Sequence, residues 1–256
     1  MPCAASSVAI LGVARVTTLY PSKERREKSE KRYVRSATNS QQSTMIHDIH
    51  THHHPNTPGE AIVQLMPDTF YPQQGHFYSV GLHPWEIKDD WRTQMAILLI
   101  KALHPQVAMI GEAGIDKKKG SAPIEVQMEV FREHVRLSEL LRKPLIIHCV
   151  KGIDEVLAIR KEFKATLPWV IHGFRGGIEQ WQQLSRVGLS VSIGEHYDEE
   201  LVKELPLSQL FIESDDRGDL AATYNLVSKT KRVEVSELAQ HVAANIYSLL
   251  TACRPQ

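Results

Sequence analysis

The chain has 256 residues, 42% of them apolar and 23% charged, the composition of one large globular domain or of a domain with a tail. No uninterrupted apolar run approaches the roughly 20 residues of a membrane helix, so no membrane-spanning helix is expected. Three cysteines without CxxC spacing argue against a disulfide scaffold or a Cys-based zinc site and point to a reducing, cytoplasmic compartment.

The formal net charge of zero conceals two opposite halves. Residues 1–44 carry eight Lys/Arg and three Glu, net +5, whereas residues 45–256 carry 22 basic and 27 acidic groups, net −5. An acidic body does not draw a polyanion through its overall field, so a phosphate-bearing substrate needs local help such as bound metal.

In chain order, the first 44 residues read as a disordered basic extension. The apolar stretch Val8 to Tyr20 is broken by Arg15 and precedes its charges, unlike a secretory signal. The run Lys23-Glu24-Arg25-Arg26-Glu27-Lys28 has mixed charge, and residues 36–44 are linker-like. Residues 45–256 form the globular domain. Histidine is its compositional outlier: five of the chain's 13 (His47, His50, His52, His53 and His54) fall within eight residues, a density that suggests metal.

From Met45 onward, short apolar or β-branched runs recur at 46–50, 61–66, 77–82, 107–111, 145–149, 169–172, 189–193 and 210–213. Most are continuous rather than alternating, as strands buried on both faces should be. Residues 124–141 read as a helix with Ile124, Met128, Phe131 and Val135 on one face. Residues 236–250 read as another, with Ser236 as N-cap and Leu238, Val242, Ile246 and Leu249 on its apolar face. Eight strands alternating with helices predict the α/β class, a (β/α)8 TIM-like barrel. The first crossover is abbreviated, because residues 51–60 are too few for a helix and contain Pro55 and Pro58.

The chemistry-bearing residues stand at strand ends: His50 and His52 after the first, His83 after the third, Glu112 at the end of the fourth, His148 the fifth, His172 the sixth, Asp215 the eighth. In a barrel all C-terminal strand ends meet at one mouth. His50 and His52 are two apart, so on a strand they share a face and can chelate one ion. Imidazole with carboxylate suits Zn²⁺ or Mn²⁺, and carboxylate also admits Mg²⁺. Each residue taken alone has a structural explanation, and the joint placement carries the inference.

The stretch from Met45 to about Leu250 resembles the TatD family of metal-dependent hydrolases, within the amidohydrolase superfamily. The matching motifs run in order: Asp48-Ile-His50-Thr-His52, Gly81-Leu-His83-Pro84, Gly111-Glu112-Ala-Gly114-Ile-Asp116, Pro144-Leu-Ile-Ile-His148, Ile171-His172-Gly-Phe174-Arg-Gly176, Glu213-Ser-Asp215 and Asn245-Ile-Tyr-Ser-Leu249. The resemblance implies two divalent cations. His50, His52 and Asp215 would hold the first, His148 and His172 the second, with Glu112 bridging. It further implies that a hydroxide held between the ions attacks a phosphodiester, with Asp215 and Glu112 catalytic and His83 on the substrate phosphate. The implied activity is that of a 3′-end deoxyribonuclease on single strands or short oligonucleotides.

The chain departs from the family pattern at Lys117, Lys151 and Arg175. Lys117, Lys151 and Arg175 are candidate substrate-binding cations that could form a phosphate clamp, although such loop charges are commonly only solvated. The segment after Asp215 is short, Arg217-Gly218-Asp219 leading straight towards a helix. Three other readings compete: amidohydrolase-type hydrolysis of a small amide or lactone, a PHP-type phosphoesterase sharing the His50-Thr51-His52 opening, and a non-catalytic barrel used as a partner surface. Glu112, rather than a lysine, at the bridging position speaks against members with a carboxylated-lysine bridge. The expected partner is a nucleic acid substrate, with no membrane and no obligate protein partner. Without metal, the buried carboxylates are expected to repel one another.

Overall fold

A computed structural model describes residues 45–217 and 219–253. The expected extension over 1–44 lies outside the described residues, as does Gly218. Eight parallel strands lie side by side in chain order: β1 (Asp48–Thr51), β2 (Ala61–Leu65), β3 (Phe77–Val80), β4 (Val107–Asp116), β5 (Leu145–Val150), β6 (Trp169–Ile171), β7 (Leu189–Ile193) and β8 (Leu210–Ile212). The sheet curls back on itself, and a parallel bridge between Thr51 and Asp215 links the β1 and β8 ends. This is the TIM-like (β/α)8 fold that the apolar rhythm predicts.

The helices are α1 (Trp91–Ala102), α2 (Ile124–Leu141), α3 (Ile153–Phe163), α4 (Ile178–Arg186), α5 (Glu199–Glu204), α6 (Leu220–Lys231) and α7 (Val235–Thr251). None of those described is long and apolar enough to cross a membrane. Helix α2 has the predicted bounds and buries Phe131 and Val135. A left-handed C-cap at Arg142, whose N–H reaches the Ser138 carbonyl, ends it. In α7, Leu238, Val242, Ile246 and Leu249 are buried as expected. Its N-cap is Glu234 rather than Ser236, which lies in the first turn, and no side chain caps the helix.

The first crossover has no helix, and neither does the second; residues 52–60 and 66–76 connect the strands as loops. The second omission is not legible in the sequence. Tyr78, fully buried on β3, ties the two loops together. Its hydroxyl meets His54 Nε2 at 3.2 Å and accepts the Gln73 N–H at 2.8 Å.

Strand β4 is twice as long as expected, ten residues instead of five, with a register shift between Ile110 and Ala113 against β5. Glu112 therefore stands within the strand and not at its end. The glycines around it answer to close packing. A Cβ on Gly111 would strike the Ile146 carbonyl oxygen, and one on Gly114 the His148 carbonyl oxygen. Both glycines have positive φ, 119° and 151°. The strands are apolar on both faces: Leu145, Ile146 and Ile147 are all fully buried. At about 1.5–3 kcal/mol for each such side chain, this core gives the mouth a stiff base. Cys149 and Cys253 are free thiols.

Candidate metal centre

The side chains expected at the mouth converge on Glu112, which is 1% exposed. Its Oε1 lies 2.7 Å from His148 Nδ1, 2.7 Å from His172 Nε2 and 3.1 Å from His83 Nε2. Its Oε2 lies 3.3 Å from His50 Nε2 and 3.4 Å from His52 Nε2. Asp215 Oδ1 closes the second group, 3.6 Å from His50 Nε2 and 3.4 Å from His52 Nε2. One carboxylate thus faces two histidine groups, one with each oxygen. Of the five histidines in the tract, only His50 and His52 enter the site. His53 Nε2 pairs with the Asp216 carbonyl at 2.8 Å, and His54 turns to Tyr78.

Several supporting residues escaped the sequence reading, although Asp116, Glu213 and Asp48 stand in its motifs. His148 Nε2 faces Asp116 Oδ2 at 3.1 Å, and His172 Nδ1 faces Glu213 Oε1 at 3.4 Å. Each buried carboxylate favours a proton on the ring nitrogen turned towards it, so that the other nitrogen would be the one to ligate a bound cation. Ser192 Oγ donates to Glu213. Asp48 accepts the His50 N–H at 3.2 Å and the Ser214 hydroxyl at 2.6 Å. His134 takes the Leu82 N–H on Nε2 at 2.9 Å, steadying the residue before His83. The signal for Asp116 and Glu213 was available: each is an acid within four residues of a candidate ligand, on a strand or at its end.

His83 is held differently from the other rings. Its Nδ1 accepts the Trp85 N–H at 3.1 Å, so its proton sits on Nε2, which points into the site. Burial lowers its pKa, so at neutral pH it is an uncharged donor.

The electrostatics follow the geometry. Burial opposes a charge on His50 and His172, but the facing carboxylates outweigh it and both pKa values are raised. For His52, burial is outweighed by Asp215 and Glu112, and its pKa rises to about 10. Glu112 is held well below the usual range: burial works against its charge, and His172 and His50 overcome that. Asp215 is lowered in the same way, burial being outweighed by His50 and His52. Histidines stand between the two carboxylates and lower the pKa of each, the opposite of the shift that mutual repulsion would give.

The donor set fits a cation. His50 is fully buried, and neither of its ring nitrogens makes a hydrogen bond; Glu112 Oε2 is likewise buried without a hydrogen bond, its neighbours His50 and His52 Nε2 standing 3.3 and 3.4 Å away. Buried polar atoms left without a hydrogen bond in a dry site are costly, and a cation between them would satisfy both. Among the described residues four ligand-capable groups arise, each with its donor atoms within 4.8 Å: His50/His52/Glu112, His50/His172/Asp215, His83/Glu112/His148 and His52/Asp215/Asp216.

The candidate cations lie apart. Lys151 follows β5 and Arg175 follows β6; both are exposed and neither contacts the cluster among the described residues. Lys117 follows β4 and is paired with Glu155 at 2.7 Å.

A family profile described as TatD related DNase matches residues 19–251. The uncharacterized metal-dependent hydrolase YabD of Bacillus subtilis is 29% identical over 147 residues, covering 54% of this chain and 58% of that protein. The 3'-5' ssDNA/RNA exonuclease TatD of Erwinia billingiae is 31% identical over 147 residues, covering 54% and 56%. The chain thus spans a little over half the length of these relatives. The crystal structure of YjjV, a TatD homolog from Escherichia coli K12, superposes with a TM-score of 0.64 at 20% identity, covering 80% of this chain and 98% of that one. A TatD family hydrolase from Entamoeba histolytica gives 0.65 at 14% identity with the same coverage. Both share the fold.

Proposed function

The chain belongs to the TatD related DNase family, and from that premise we propose that it is a metal-dependent hydrolase of phosphodiester bonds, acting at the 3′ end of single strands or short oligonucleotides. The observation that carries the reading is the Glu112 carboxylate, with His50 and His52 on one oxygen and His148 and His172 on the other. His50, His52 and Asp215 would hold one divalent cation, Zn²⁺, Mn²⁺ or Mg²⁺. His148 and His172 would hold a second, with Glu112 shared. When bound, such ions lower the pKa of water and neutralise charge on a phosphate.

The chain's own groups complete the task. Asp215, whose side chain is 37% exposed, is the carboxylate that opens to the mouth and can accept a proton from an attacking water. His83 presents its Nε2–H as a donor for a phosphate oxygen. Asp116 and Glu213 keep the His148 and His172 rings in the ligating tautomer. Two YabD- and TatD-like features support a hydrolase: the relative named as a metal-dependent hydrolase and the one named as a 3'-5' ssDNA/RNA exonuclease.

The test is a substrate panel with and without chelator: a single-stranded oligonucleotide, a phosphomonoester, and a set of lactones and amides. Chelator-sensitive, end-wise shortening of the oligonucleotide is the expected result. Turnover of a lactone or amide with the oligonucleotide untouched would move the chain to carbonyl chemistry.

A further inference from the structure

The loop between β3 and α1 carries an aromatic side chain that this scheme leaves unused. Trp85 is 42% exposed, two residues past His83. Its ring stands edge-to-face with His83, centroids 4.8 Å apart, and with His148, 5.7 Å apart. An indole with that much surface in water is ordinarily turned inward or left free. Trp85 is anchored instead: its Nε1–H donates to Asp116 Oδ2 at 2.6 Å. Asp116 Oδ1 also accepts the N–H groups of Lys118 and Lys119, at 2.7 and 2.9 Å. Lys119 Nζ comes to 4.9 Å from the indole centroid. One buried carboxylate thus fixes a ligand-candidate histidine, an exposed ring and a pair of lysines together. On the same rim, Asp116, Lys117, Lys118, Gly120 and Gln127 line a recess of about 440 Å³.

We propose that Trp85 is a stacking platform for a planar aromatic group of the substrate, the unpaired terminal nucleobase, with Lys118 and Lys119 beside the flanking phosphate. This deepens the phosphodiester reading and rests on it. The body carries net −5 over residues 45–256, and Lys117 is already neutralised by Glu155. Phosphate contacts are therefore few, and affinity has to come from an interaction that does not depend on charge. Base stacking on an aromatic face is such an interaction and tolerates any base.

The experiment compares a fluorescent single-stranded tetranucleotide with the same strand lacking its 3′-terminal base, in wild type, Trp85→Phe and Trp85→Leu. Phe keeps the ring and loses the N–H; Leu loses both. Binding is read by anisotropy and turnover as kcat and KM, on metal-loaded protein. Removing the base should weaken wild-type binding roughly tenfold. Trp85→Leu should bind the two strands equally, and Trp85→Phe should keep the discrimination to within threefold. If wild type binds both strands alike, the platform is refuted. It is refuted too if both variants lower kcat equally on both strands with discrimination intact, since Trp85 would then serve only to hold Asp116. Should neither strand be cut, the phosphodiester reading fails on its own, and the binding comparison still decides the stacking.

Discussion

His50 and Asp215 meet twice. The Asp215 N–H donates to the His50 carbonyl at 3.1 Å, and the His50 ring nitrogen Nε2 lies 3.6 Å from Asp215 Oδ1. The backbone contact belongs to the seam between the β1 and β8 ends, where the His52 N–H also reaches the Asp215 carbonyl at 3.3 Å. The side-chain contact belongs to the candidate metal centre. Asp215 holds a φ of 50° to do both, a left-handed conformation that Asp tolerates better than most residues. Barrel closure and ligand convergence are one structural event here, so the site is as rigid as the seam.

Removing either key carboxylate should abolish hydrolysis. For Glu112→Gln and Asp215→Asn, turnover is expected to fall by roughly 10⁴-fold at saturating metal. In the metal-free protein Glu112→Gln should also destabilise, on the order of 3 kcal/mol, because His50 and His172 lose their buried counter-charge. Thermal melting in chelator checks this; a rise in melting temperature would show that carboxylate repulsion dominates after all.

Metal loading should release protons. In the metal-free protein the pKa values of His50, His52 and His172 are raised, His52 to about 10, so at pH 7 the His52 ring is protonated and must lose a proton to bind a cation, while the facing carboxylates favour the protonated form of His50 and His172 as well. The same sign governs stability. The contribution of a raised histidine is full below its ordinary pKa of 6.5, and for His52 is lost as pH climbs through about 10. Metal affinity should therefore climb between pH 6 and 8, by about tenfold per pH unit for each proton displaced. Calorimetry in two buffers of different ionisation enthalpy counts those protons, and identical heats in both buffers would contradict the assignment.

Asp116 and Glu213 act through the rings they face. Asp116→Asn and Glu213→Gln should each weaken metal binding by about 10- to 100-fold, the usual cost of losing an outer carboxylate. Competition with a chromogenic chelator measures it. Burial works against the Asp116 charge, but the Trp85 N–H and the Lys118 and Lys119 amides outweigh it and lower its pKa to about 2. Its stabilising contribution is present above its ordinary pKa of 3.8 and fades as pH falls through about 2. Unchanged metal affinity in both variants would remove them from the site.

Nucleic acid binding should depend weakly on salt. Lys117 is tied to Glu155, and among the described residues Lys151 and Arg175 make no contact with the cluster. With two or three phosphate contacts on a single strand, affinity should drop only about tenfold between 50 and 200 mM salt. A loss of about 10³-fold over that range, in a catalytically blocked variant, would require a basic track that the described residues do not provide.

Residues 45–253 contain all eight strands and the whole described core. We propose that a chain shortened to begin at Met45 melts and turns over as the full chain does. The family match reaches back to residue 19, so a chain beginning there is the informative control. A melting temperature lower by many degrees for the Met45 start alone would assign residues 19–44 a structural part.

The sequence by itself determined the strand rhythm, the helix bounds of α2 and the identity of the converging residues. Each of these is a local property: apolar runs of strand length, a 3.6-residue period, and polar groups standing where such runs stop. A parallel barrel translates that last feature into a place, since every C-terminal strand end opens on one mouth. Only the tertiary structure decided which atom faces which. Strand β4 runs on to Asp116, so Glu112 stands inside its strand, between two histidine groups. The contacts of Asp116 with Trp85 and His148 span 31 and 32 residues, and the seam joins His50 to Asp215 across most of the domain. No periodicity records separations of that kind. They follow from strand curvature, close backbone approach at Gly111 and Gly114, and the need of each buried polar group for a partner, all of which exist only once the sheet has closed.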